Sequence, residues 1–117
     1  MIGDRDETVA RETTPDGITV VRVHGDLDND TTPALTRALS AAAHSSCPRT
    51  VVDLSEVEFA DSSALHAFLA AQRAHTTAGT ALVLAGPLQT AVRRLFEVTN
   101  TAPAFRWADT VQQAMTF

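Results

Sequence analysis

"TVVDLSEVEFADSSAL", residues 50–65, is where the chain changes period. Its opening, TVVDLS, is a short apolar run without clean alternation, which predicts a strand buried on both faces. Its end opens a helix. Asp61, Ser62 and Ser63 are residue types favoured at a helix start. Leu65, Phe68 and Leu69 then share one face, and Gly79 is placed to stop the helix. Upstream, TPDG at 14–17 is a turn, with proline fixing φ and glycine permitting φ > 0. A weak strand is expected over Val9 to Thr13. ITVVRVHG reads as a second strand, ended by Gly25. A polar loop, DLDNDTT, leads to a helix with Thr32 as N-cap and Pro33 at its first position. Leu35, Ala38, Leu39 and Ala42 form that helix's apolar face, and HSSCPR is the loop after it. Downstream, TALVLAG predicts a third buried strand. PLQTAVRRLFEVTN predicts a helix with Pro87 in its first turn and Leu88, Val92, Leu95 and Phe96 on one side. APAFRWAD holds a short edge strand, consistent with its prolines, and DTVQQAMTF a last short helix with Asp109 as N-cap. Strands alternating with helices imply an α/β layer fold around a largely parallel sheet. Sites in such sheets collect where strand C-terminal ends meet helix N-termini. Two loops are therefore expected at one edge: GDLDNDTT (25–32) and EFADSSA (58–64).

The chain has 117 residues, enough for one core and not two. Net charge is −5, and the nine basic residues, all arginine, form no stripe able to neutralise a phosphate backbone, so nucleic acid is not an expected partner. Apolar runs are too short to span a bilayer. The opening MIGDRDETVARETT is charged and lacks an apolar signal region, which makes the expectation a cytoplasmic chain with residues 1–7 loose and one domain over 8–117. The single cysteine, Cys47, reads as a tolerated free thiol. Phe105 and Trp107 read as core, and Arg93 and Arg94 as solvated helix surface.

Ser62 admits three readings. It is a helix cap, which needs no function. Or it is a nucleophile, with His66 four residues along or His24 as base; but Ala60-Asp61-Ser62-Ser63-Ala64 lacks the Gly-x-Ser-x-Gly elbow. Or it is a regulatory phosphosite: unpaired N–H groups and the dipole at a helix N-terminus accept a phosphate, and roughly −1.5 to −2 added charges beside acidic residues would repel a docked partner. Asp26, Asp28 and Asp30 alternate like a calcium loop, but Thr31 stands at the sixth position in place of glycine, so cap-and-turn roles are expected instead.

Three stretches together resemble a known family. VHGDLDNDTTPALTRAL (23–39), TVVDLSEVEFADSSAL (50–65) and AVRRLFEVTN (91–100) are similar, in order, to the motifs of STAS domains of the bacterial anti-sigma factor antagonist (anti-anti-sigma factor) class. The resemblance covers roughly residues 8 to 115. It implies a single STAS-like α/β domain, with a mostly parallel sheet of four to five strands packed with about four helices. It implies a binding switch and not an enzyme: the chain binds an anti-sigma factor serine kinase and frees its sigma factor. Phosphorylation of Ser62 prevents that binding, and a serine phosphatase restores it. ATP belongs to the partner, so no cofactor or metal is expected here. Asp28 corresponds to an acidic position that assists phosphorylation. The implied partner face comprises Asp26, Asp28, Asp30 and Thr31 on one loop and Asp61, Ser62, Ser63 and His66 at the helix start. The chain departs from the family pattern at Ala64 and Asn100, where glycines are usual, and at Asp26, where glutamate is. Asparagine tolerates the left-handed conformation that glycine serves at a helix end. The alternative reading is a constitutive STAS module in a stress-signalling scaffold or transporter-associated complex, with Ser62 only a cap.

Overall fold

The computed structural model describes residues 8–45 and 47–116. The N-terminal segment expected to be loose, residues 1–7, lies outside them. The elements run β1 (Val9–Thr13), β2 (Thr19–Leu27), α1 (Thr32–Ala43), β3 (Arg49–Ala60), α2 (Ser62–Ala78), β4 (Ala81–Ala85), α3 (Thr90–Val98), a 3-10 turn (Ala102–Ala104), β5 (Arg106–Ala108) and α4 (Val111–Met115). One sheet has the order β1-β2-β3-β4-β5. β1 pairs antiparallel with β2, and the other three pairings are parallel. This is the mostly parallel α/β domain expected.

Each sheet face has its own core. Val21, Val23, Val52, Leu54, Leu82 and Leu84 meet α1, α2 and α3 on one side. Ile18, Val20, Val51, Val83 and Ala85 meet the short α4 on the other. Strands buried on both faces explain why TVVDLS and TALVLAG read as continuous apolar runs. Phe96 of α3 sits edge-on to Phe105 and Trp107 and tilted against Phe68, which ties α2, α3 and β5 together.

Several element boundaries differ from the sequence reading. Gly25 does not end β2. It adopts φ +81°, a left-handed conformation open to glycine, at a register irregularity, and the strand resumes to Leu27. β3 does not stop at Ser55 but runs 12 residues, to Ala60. β4 pairs only with Arg49–Asp53, so β2 is the only strand paired with the remainder of β3 among the described residues, and the exposed polar residues there hid its strand character. α1 begins at Thr32 with Thr31 as N-cap residue, one position earlier than expected, because the Thr31 carbonyl already accepts from the Ala34 and Leu35 amides. α3 begins at Thr90, not at Pro87, since the Gly86 N–H is still held in the sheet by the Ala108 carbonyl at 3.0 Å. Thr110, not Asp109, caps α4: its Oγ1 accepts from the Gln113 amide, while Gln113 Oε1 accepts from the Asp109 amide. Gly79 and Asn100 are left-handed, as expected of helix stops. The amides of Asn100 and Thr101 donate back to Glu97 and Phe96, closing α3 as a glycine would.

Candidate functional site

β2 and β3 are parallel neighbours, so their C-terminal ends reach the same edge of the sheet. Leu27 pairs with Ala60, and the Asp61 amide donates to the Leu27 carbonyl at 3.1 Å. The loop after β2 and the start of α2 therefore lie side by side, as the connectivity predicted.

At the start of α2 the capping residue is Asp61, not Ser62. Asp61 has extended backbone, and its Oδ1 accepts from the Ser63 amide (2.9 Å), the Ala64 amide (3.3 Å) and the Ser63 hydroxyl. The Ser63 hydroxyl, first, and the Ala64 and Ser63 amides hold the Asp61 carboxyl below the usual carboxylate range, against a desolvation effect that raises it. The Ser63 Oγ also lies 3.1 Å from Thr32 Oγ1. Ser63 has one hydroxyl proton and gives it to Asp61, so Thr32 donates to Ser63. This link joins the first turns of α1 and α2, and no local sequence pattern announces it.

The adjoining loop is built the same way. Asp28 Oδ1 accepts from the Asp30 and Thr31 amides at 3.0 and 3.2 Å. Thr31 Oγ1 accepts from the Asp28 amide and donates to the Asp26 carbonyl, both at 2.9 Å. Of the three aspartates expected in cap-and-turn roles, Asp28 takes one, with Thr31 as its half-buried partner. Asp26 and Asp30 remain exposed. Among the described residues no group of three His, Cys, Asp or Glu is placed to hold a metal ion.

Ser62 stands apart from these networks. It occupies the first helical position, is exposed, and its hydroxyl has no hydrogen-bond partner among the described residues. The expectation that open N–H groups surround it needs correction. Asp61 already takes the Ser63 and Ala64 amides, because a capping carboxylate satisfies those donors. Charge added at Ser62 would therefore meet the Asp61 carboxylate as well as the positive end of the helix dipole. His66 is exposed one turn along and makes no hydrogen bond to Ser62, and Asp61 is committed to the helix rather than to orienting a histidine. Ala64, at the usual glycine position, is fully buried, so its methyl faces the core rather than a partner.

The sequence reading missed Phe59. It is 47% exposed, three residues before Ser62, on the part of β3 beyond β4. Leu27 and Ala60 both enter the core beneath the helices. Their predecessors Asp26 and Phe59 are paired across the strands and are both exposed.

A five-stranded sheet flanked by three helices on one face and a short one on the other, with an exposed serine opening α2, defines an α/β domain of the STAS class. The family model described as "Mlab, STAS domain" matches residues 10–102, and the chain belongs to that family. Its fold is similar to that of an anti-sigma factor antagonist from Mycobacterium paratuberculosis, at 31% identity, with a TM-score of 0.82 and coverage of 93% of this chain and 91% of that one. It is also similar in fold to SpoIIAA in its unphosphorylated form (20% identity, TM-score 0.77, 92% of each chain). The phosphorylated form of the Bacillus cell fate determinant SpoIIAA is similar at 19% identity and TM-score 0.71, over 92% of this chain and 96% of that one. No curated protein matches the chain in sequence. Among the described residues no helix is long and apolar enough to cross a membrane.

Proposed function

We propose that this chain is an anti-sigma factor antagonist that binds an anti-sigma factor serine kinase, frees its sigma factor, and is switched off by phosphorylation of Ser62. The observation that carries this reading is the division of labour at the start of α2. Asp61 holds the cap and Ser63 the link to α1, which leaves the exposed Ser62 hydroxyl without a structural task. A phosphate there adds roughly −1.5 to −2 charges beside Asp61, on a rim that also presents Asp26 and Asp30. A docked partner then meets like-charge repulsion while the fold persists. ATP is supplied by the kinase, a serine phosphatase resets the switch, and the exchange takes place in the cytoplasm.

The test is affinity capture from native cell lysate with wild type, Ser62→Asp and Ser62→Ala as baits. Wild type and Ser62→Ala are expected to retain one ATP-binding anti-sigma protein that Ser62→Asp loses. That purified protein with ATP is expected to phosphorylate wild type and not Ser62→Ala. Identical partners on all three baits would replace this reading with a constitutive STAS module in a scaffold or transporter-associated complex.

A further inference from the structure

Phe59 has no role in the core, and its exposure is not a packing accident of a chain end. It lies on a strand whose neighbours Val57 and Ala60 are buried, and it leaves the sheet beside Asp26. The strand there lies beyond its pairing with β4, which ends at Asp53 and Ala85, and the ring is 47% exposed. The segment that flanks it in sequence and the segment that holds Asp26 are both acidic. Residues 25–36 and 55–72 carry six carboxylates (Asp26, Asp28, Asp30, Glu56, Glu58 and Asp61) and no arginine or lysine. An exposed aromatic ring paired across the strands with Asp26 and flanked in sequence by carboxylates fits a surface with an apolar pocket rimmed by cations. Aromatic anchors of this kind dominate interface energies when a partner desolvates them, and rim charges set encounter rate and selectivity.

We propose that Phe59 is the apolar anchor of the partner face around Ser62, and that it inserts into a pocket rimmed by arginine or lysine on the anti-sigma kinase. This rests on the function proposed above and adds to it the chemistry of the partner's surface. The anchor supplies affinity and the acidic rim supplies orientation, so phosphate at Ser62 acts three residues from the point of tightest contact.

The test measures affinity of the purified kinase, recovered by Ser62-sensitive capture, for wild type, Phe59→Ala, Phe59→Leu and Val98→Ala. Val98, the other large exposed apolar residue among the described residues at 68%, lies at the end of α3 and serves as control. Phe59→Ala is expected to weaken binding ~30-fold or more. Phe59→Leu should recover part of that loss, and Val98→Ala should bind as wild type. Binding should also weaken as ionic strength rises. Thermal melting of Phe59→Ala is expected to match wild type, which separates loss of contact from loss of fold. Wild-type affinity in Phe59→Ala, with Ser62→Asp still failing to bind, would overturn the anchor and leave the switch standing. A dimer of the chain alone that Phe59→Ala dissociates would overturn it too, by assigning the ring to self-association. Failure to recover any Ser62-sensitive kinase would overturn both.

Discussion

α2 carries Ser62 at one end and is pinned at the other by a buried pair, His75 and Thr50, whose removal has a calculable cost. His75 is 1% exposed and Thr50 0%. His75 Nδ1 lies 2.8 Å from the Ala71 carbonyl, which can only accept, so Nδ1 carries the proton. Nε2 of the neutral ring then accepts from Thr50 Oγ1 at 2.9 Å. Thr50→Val keeps the volume and removes the donor. No cavity opens, so the cost is that of one buried acceptor left unpaired, about 1–3 kcal/mol. For a domain of this size about 1 kcal/mol corresponds to about 4 °C in Tm, and a drop of about 4–12 °C is expected by calorimetry at pH 7.5. pH supplies a second readout. Desolvation holds the His75 pKa below its ordinary 6.5, against the opposing effect of the Ala71 carbonyl. The unfolded chain then binds the proton more readily than the native one, so native stability is full above 6.5 and declines as pH falls below it. The Thr50 hydroxyl favours the neutral ring, so Thr50→Val should narrow its deficit as the pH falls through this window. A variant within about 0.5 kcal/mol of wild type at pH 7.5, below the cost of any orphaned buried acceptor, would refute the assignment of that hydrogen bond.

Ser63→Ala removes the leading cause of the depressed Asp61 pKa, so the Asp61 carboxyl should titrate closer to its ordinary 3.8 in a carbon-detected NMR titration. The stability that Asp61 contributes is present above 3.8 and lost as pH falls through its lower native pKa, and this acid loss should shrink in the variant. Phe96→Ala empties the centre of the Phe68, Phe105 and Trp107 cluster and should cost about 3–5 kcal/mol in urea unfolding. Gly25→Ala places a Cβ where nothing lies within 4 Å, at φ +81°. Its cost is therefore backbone strain alone, about 1–2 kcal/mol; a urea midpoint equal to wild type would show that the β2 irregularity relaxes.

Local chemistry carried much of this protein into its sequence. Non-alternating apolar runs marked the doubly buried strands, and apolar spacing of about 3.6 residues marked the helices packed on them. Gly79 and Asn100 announced helix ends because few residues tolerate positive φ. The order of strands and helices was enough to bring residues 25–32 and 58–64 to one edge, since parallel strands joined by helices must all end on the same side. Tertiary structure alone decided how tasks are shared at that edge. Asp61, Ser62 and Ser63 are all competent capping residues, and only geometry across the gap to Thr32 shows which of them is spent on structure and which is left exposed. Phe59 was hidden for the same reason. Whether a side chain on a strand is covered depends on what lies over that strand in space, which its own residues do not state.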